Sequence, residues 1–277
     1  MKHTEAHPLR ERYGSRALVT GGARGIGRAF AEELASAGFD LLLVDRETED
    51  GEALAKELRD RFEIDAQLIA CDLSRADLAE TAQDWAARYD IGVLVSNAGI
   101  SPMGSFIDIE LDTHLDTLTI NCRATAILAH TFGRQMVERG RGAIIVVSSA
   151  SAISGAPYTA QYAATKAYGL TLAASLWEEL RPHGVDVLGV CPGLTDTTPV
   201  RERGLDQSVP WLVPINGPEP VAKGALTALG RRPVVIPTVA DRLSSNFMAR
   251  LLPRRWTLAL VGRSMKQLRR ETESRTD

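Results

Sequence analysis

Short apolar runs alternate along this chain with longer stretches of mixed polarity. Arg16–Thr20, Asp40–Val44, Gln67–Ala70, Gly92–Ser96, Ala143–Ser148, Val185–Val190 and Pro233–Ile236 are the runs, and each predicts a strand. They are continuously apolar rather than alternating, the pattern of strands covered on both faces. Between them Ile26–Ala37, Glu52–Phe62, Ala76–Tyr89, Leu111–Arg139 and Gln161–Arg181 carry apolar residues at helical spacing, and Gly38 stops the first. Repeated units of this kind predict an α/β fold, a doubly wound parallel sheet with helices on both sides.

Two regions break the rhythm. Pro192–Pro220 holds five prolines and two glycines after Gly193, with Trp211, Leu212, Val213 and Ile215 among them. It reads as a long irregular insertion, a lid over about 194–217. The second region is the C-terminal stretch. From Arg231 onward 11 Lys and Arg stand against 4 Asp and Glu, while the rest of the chain has 21 against 31. Leu243, Phe247, Leu251, Leu252, Trp256, Leu258, Leu260 and Val261 are interleaved with this charge, and Pro253 divides the stretch into two expected helices. The expected organisation is one domain over 1–240 with a basic amphipathic extension over 241–277. That extension either covers the sheet edge, a second subunit or the substrate cleft, or lies on anionic lipid.

A chain of 277 residues, 44% hydrophobic and 24% charged, can bury a large core without disulfides or a structural metal. The net charge of -3 provides no overall field to attract nucleic acid. Cys71, Cys122 and Cys191 are scattered, and neither they nor the five histidines show metal-ligand spacing, so no metal is expected. The N-terminal segment is polar. The apolar runs reach about six residues, far short of the roughly 20 a membrane helix needs. A cytoplasmic protein is the expectation.

The first strand runs into Thr20-Gly21-Gly22-Ala23-Arg24-Gly25-Ile26-Gly27, which opens a helix, and Asp45 closes the second strand. This context is required for a dinucleotide site of the Rossmann fold. Glycines let the backbone approach a pyrophosphate, and the helix N-terminus offers free N–H groups and a positive dipole. The carboxylate of Asp45 suits ribose hydroxyls and repels a 2′-phosphate, pointing to NAD. Arg24 or Arg46 could instead hold a 2′-phosphate, so NADP stays open.

Tyr162 and Lys166, four apart on one helix face, can meet around one substrate atom. A nearby ammonium favours phenolate, which suits the tyrosine to proton exchange near neutral pH. Ser148 and Ser149 end a buried strand 13 residues before Tyr162 and offer hydroxyls to a carbonyl or alcohol oxygen. Asn121, inside an apolar helix, must be hydrogen-bonded, as a structural bridge or in a proton path. A serine hydrolase is disfavoured, because no Gly-x-Ser-x-Gly is present.

Taken together, TGGARGIG at Thr20–Gly27, Asp72, Asn97-Ala98-Gly99, Asn121, Ser149, YAATK at Tyr162–Lys166 and Pro192-Gly193 resemble the short-chain dehydrogenase/reductases. The order and spacing match over roughly Arg16 to Ile236. The resemblance implies that Tyr162 is the acid/base and that Lys166 lowers its pKa and binds the nicotinamide ribose. It implies that Ser149 polarises the substrate oxygen and Asn121 holds a water in a proton relay. Asp72 and Leu73 resemble an adenine-binding pair, and Asn97, Ala98 and Gly99 a turn bordering adenosine. Thr195 and Thr197 fit the stretch after Pro-Gly that holds the nicotinamide amide. Gly21, Arg24, Gly25, Ile26, Gly27, Asp45 and Arg46 complete the expected cofactor set.

The expected activity is hydride transfer between NAD(H) and a secondary alcohol or ketone, with an apolar small-molecule substrate and a homo-dimer or homo-tetramer as the working form. The alternatives are an NADPH-dependent reductase of lipid-like carbonyls at a membrane surface, and a non-catalytic nucleotide sensor on the same fold.

Overall fold

A computed structural model describes residues 7–197, 215–243 and 253–276. Seven strands form one parallel sheet in the order β3-β2-β1-β4-β5-β6-β7. They are β1 Arg16–Thr20, β2 Asp40–Asp45, β3 Ala66–Ala70, β4 Ile91–Ser96, β5 Gly142–Val147, β6 Val185–Val190 and β7 Val234–Val235. Chain order reverses between β1 and β4, and in such sheets this switch point opens a crevice at the carboxyl ends of the strands.

Alternate residues of each strand enter different cores. Val19, Leu43, Val95 and Ile145 pack under α2 (Gly25–Ser36), α3 (Thr48–Phe62) and α9 (Pro218–Ala228) through Phe30, Leu54 and Val221. Leu18, Leu42, Leu94 and Ile144 pack under α4 (Leu78–Arg88), α6 (Ala124–Arg139) and α8 (Ala160–Leu180) through Trp85, Phe132 and Ala173. Both faces are buried, which is why the strands lack polar alternation.

Four elements depart from expectation. The stretch Leu111–Arg139 is α5 (Leu111–Leu118) and α6 joined by a π-helical turn over Thr119–Arg123, with Asn121 inside it. Periodicity cannot reveal one inserted residue in a helical ladder. Helix α9 begins within the region expected to be irregular, with Pro218 in its first turn after Gly217. Proline is tolerated there because its missing N–H has no helical partner to lose. Helix α1 (Pro8–Tyr13) has the same cause, and His7 Nδ1 accepts from Leu9 N at 3.3 Å to cap it. Helix α7 (Ser151–Ser154) lies between β5 and α8, and α10 (Arg254–Thr276) starts directly after Pro253. Residues 198–214, with Trp211, Leu212 and Val213 of the expected lid, and Phe247, Leu251 and Leu252 of the basic stretch lie outside the described residues.

Candidate active site

The glycine turn between β1 and α2 is shaped by close backbone approach. A Cβ on Gly27 would lie 1.9 Å from the Gly21 carbonyl oxygen, so the helix can sit this near the turn only with glycine there. Gly21 and Gly25 adopt φ of +61° and +55°. Helix α2 has no side-chain cap, so its first N–H groups are open to an anion. Asn97 clasps the turn from β4. Its Nδ2 donates to the Thr20 and Gly21 carbonyls at 3.0 and 3.1 Å, and its N and the Ala98 N donate to Thr20 Oγ1.

At the tip of β2, half-buried Asp45 accepts from Ala23 N at 3.0 Å and from Glu47 N at 3.2 Å. It therefore fixes the glycine turn and stands beside it. Arg24 is paired with Asp50, and Arg46 lies 3.4 Å from Glu47. Asp72, just past β3, accepts from Ser74 N at 2.8 Å, and this bond holds its carboxyl below the usual range. Leu73 beside it is buried. A cradle that Cβ atoms would fill, an uncapped helix end and a carboxylate at the second strand tip fit a dinucleotide.

The second cluster lies across the switch point. Lys166 is 9% exposed, and its Nζ donates to the Val147 carbonyl at 2.9 Å. Burial lowers its pKa from 10.5 to about 8. Its ammonium is 5.7 Å from the Tyr162 ring centroid. A Cβ on Gly99 would stand 3.3 Å from Lys166 Nζ and 3.0 Å from Asn121 Oδ1, so these three residues converge.

Asn121 is a bridge. Its Oδ1 accepts from Ile100 N, and its Nδ2 donates to the Ile100 carbonyl and to Thr165 Oγ1, each at 2.9 Å. Thr165 Oγ1 donates to the Tyr162 carbonyl at 2.8 Å, and Ser148 Oγ donates to the Lys166 carbonyl at 2.7 Å. The helix carrying the Tyr-Lys pair is thus fastened to β5 and to the π turn. Ser149 Oγ accepts from Ser151 N at 3.2 Å and from Ser151 Oγ at 3.0 Å. Both bonds use its lone pairs and leave its own O–H to donate.

Thr195 is buried, and its hydroxyl donates to the Gly193 carbonyl at 3.2 Å. Thr197 leans on the glycine turn: its Cγ2 is 2.9 Å from the position of a Cβ on Gly25. The expected cofactor residues therefore stand after β1, β2, β3, β4 and β6, and the Tyr-Lys-Asn-Ser group gathers beside the ends of β4 and β5. Sequence reasoning assigned no role to Thr20 or Thr165, although both stand inside the quoted motifs, and missed Ser151 and Asp241, which carry no local pattern.

Comparison with known proteins agrees with this geometry. A family model described as short chain dehydrogenase matches residues 15–208. The rat protein called inactive hydroxysteroid dehydrogenase-like protein 1 is 32% identical over 229 residues, covering 80% of this chain and 68% of the relative. A structure solved for the stereoselectivity of 7beta-hydroxysteroid dehydrogenase superposes with a TM-score of 0.83 at 27% identity, covering 92% of this chain and 99% of the other. A Sphingobium yanoikuyae short-chain dehydrogenase solved in complex with NADPH gives 0.76 at 30% identity, covering 86% and 94%.

Proposed function

This chain belongs to the short-chain dehydrogenase family, oxidoreductases acting on alcohol and ketone groups, and we propose that it transfers hydride between NAD(H) and a secondary alcohol or ketone with an apolar body. The observation that carries the reading is the buried Lys166 ammonium 5.7 Å from the Tyr162 ring, on a helix anchored through Asn121 and Ser148. A dinucleotide bound in the cradle supplies a hydride donor or acceptor. Ser149 donates its O–H to the substrate oxygen, and Tyr162 gives or takes the proton at that oxygen. Lys166, charged beside the ring, favours the phenolate and makes the exchange possible near neutral pH. Gly21, Gly25, Ile26 and Gly27 would hold the pyrophosphate, Asp72 and Leu73 the adenine, and Thr195 and Thr197 the nicotinamide end.

The preference for NAD rests on Asp45, whose carboxylate at the tip of β2, beside the glycine turn, would repel a 2′-phosphate. The arginines that could oppose it are engaged by Asp50 and Glu47. The NADPH complex of the Sphingobium protein favours the other cofactor, and the inactive relative favours a sensor. Against the sensor stands the complete set of Asn121, Ser149, Tyr162 and Lys166. Three unpaired cysteines suit a reducing compartment, on which ground we place the protein in the cytoplasm.

The test is a panel of bulky secondary alcohols and ketones, steroids and acyl ketones included, read by nicotinamide absorbance with both cofactors. Wild type is expected to prefer NADH, and Asp45→Ala to shift the preference toward NADPH. Equal or better use of NADPH by wild type would overturn the NAD assignment. No turnover with either cofactor across the panel, despite nucleotide binding, would favour the sensor.

A further inference from the structure

After β6 the chain turns at Pro192-Gly193, passes through Leu194–Thr197, and comes back at Ile215-Asn216. The outgoing and returning segments are tied together. Thr195 and Asn216 form a parallel bridge, Asp196 N donates to the Asn216 carbonyl at 2.8 Å, and Asn216 N donates to the Leu194 carbonyl at 3.0 Å. Asp241 lies against this junction, 2% exposed and 48 residues after Gly193. One carboxylate oxygen accepts from Gly193 N at 3.1 Å and the other from Asn216 Nδ2 at 2.9 Å. The Asp241 backbone N is held in turn by Thr238 Oγ1 at 3.1 Å. Gly193 has no room for a side chain here, because its Cβ would lie 2.1 Å from Asp241 Oδ1.

A buried carboxylate is costly unless it is hydrogen-bonded, and bonds to a charged acceptor are the strong ones. This one fixes both limbs of the segment that carries Thr195 and Thr197, and Thr197 rests on the glycine turn. We propose that Asp241 is a positioning residue for the nicotinamide half of the cofactor, acting through Gly193 and Asn216 to set the 193–197 backbone. The proposal rests on the dinucleotide reading of the site. It also gives the glycine of Pro192-Gly193 a steric reason that lies far away in sequence.

The test compares binding of NADH and NADPH, read by nicotinamide fluorescence, with binding of ADP-ribose and its 2′-phosphate, read by calorimetry. The last two lack nicotinamide. Losing bonds to a charged acceptor is expected to make Asp241→Ala bind the preferred reduced dinucleotide about 10-fold more weakly, with ADP-ribose changed less than about 2-fold. Asp241→Asn keeps one acceptor oxygen and should fall between. Gly193→Ala should weaken dinucleotide binding in wild type and do so much less beside Asp241→Ala, since the clash is with that carboxylate. Should Asp241→Ala fail to fold, half-buried Asn216→Ala removes one limb and carries the same comparison. Unchanged dinucleotide affinity, or equal loss for ligands with and without nicotinamide, would overturn the positioning role. Wild type that bound none of the four would overturn the dinucleotide reading with it.

Discussion

Lys166 keeps its ammonium inside the molecule, bonded to the Val147 carbonyl. Its pKa falls from 10.5 to about 8 because burial disfavours the charged form. Between those values the unfolded chain holds a proton that the folded chain has released, so stability rises with pH across the window. Below about pH 8 the full penalty applies, on the order of 3 kcal/mol. Denaturant midpoints are expected to climb for wild type between about pH 8 and 9, before thiols whose pKa burial raises begin to oppose the gain, and Lys166→Met, with no proton to lose, should lack that climb. Parallel curves would mean that Lys166 stays charged throughout. The same charge serves Tyr162. Tyr162→Phe removes only the hydroxyl, so turnover should fall at least about 100-fold while nucleotide affinity holds. Near-normal initial rates in this variant would remove Tyr162 from the chemistry. The Tyr-Lys pair was legible from its i, i+4 spacing, whereas the bonds that fasten it, from the Asn121 amide to Thr165 and from Ser148 to the Lys166 carbonyl, span distant residues and leave no such trace.

At the level of elements, α10 turns one face down and one out. Leu258 lies 3.5 Å from where a Gly155 side chain would begin, and a Cβ on Gly262 would lie 3.4 Å from the Pro157 ring. Trp256, 60% exposed, and Leu260, one turn on, face outward among Arg255 and Arg263. The covered segment joins Ser149 to Tyr162, and a cavity of about 400 Å³ between it, α8 and α10 is lined by Ser151, Ile153, Pro157, Ala163, Ala167 and Leu258. Deleting residues 253–277 leaves Asp241 and its bonds in place. It is expected to lower the thermal midpoint and raise KM for apolar substrates, because Ser149 and Tyr162 lose the support of their connecting loop. If α10 is a lipid anchor instead, the truncated protein should keep its stability and kinetics but lose binding to anionic vesicles. That binding should weaken with salt, since exposed charges are screened within roughly 8 Å at physiological ionic strength. Truncation without any of these effects would sink both readings.

Across the whole molecule, Leu111, Leu115 and Leu118 form an exposed stripe on α5, and Tyr168 is exposed on α8. The two helices adjoin, with Gln161 Nε2 donating to the His114 carbonyl at 3.4 Å. We propose that these exposed apolar residues belong to a subunit interface, which closes most simply as a two-fold dimer. Light scattering is expected to give a dimer or tetramer for wild type and a smaller species for Leu111→Glu with Leu115→Glu. A monomeric wild type at micromolar concentration would refute the homo-oligomer. Because α8 also carries Tyr162 and Lys166, dissociation should lower turnover as well as mass.

The apolar runs, the glycine turn and the Tyr162–Lys166 pair were readable because each depends on neighbours a few residues away: strand burial, helix entry and helix periodicity. The sheet order β3-β2-β1-β4-β5-β6-β7 is not chain order, and it decides which distant segments meet at the strand ends. Asn97 reaches Thr20 across 77 residues, Asn121 reaches Thr165 across 44, and Asp241 reaches Gly193 across 48. The π turn that carries Asn121, the pairing of Arg24 with Asp50, and the carboxylate that requires glycine at 193 likewise belong to the assembled molecule. A polar side chain has no periodicity to announce its partner, and burial alone obliges it to find one.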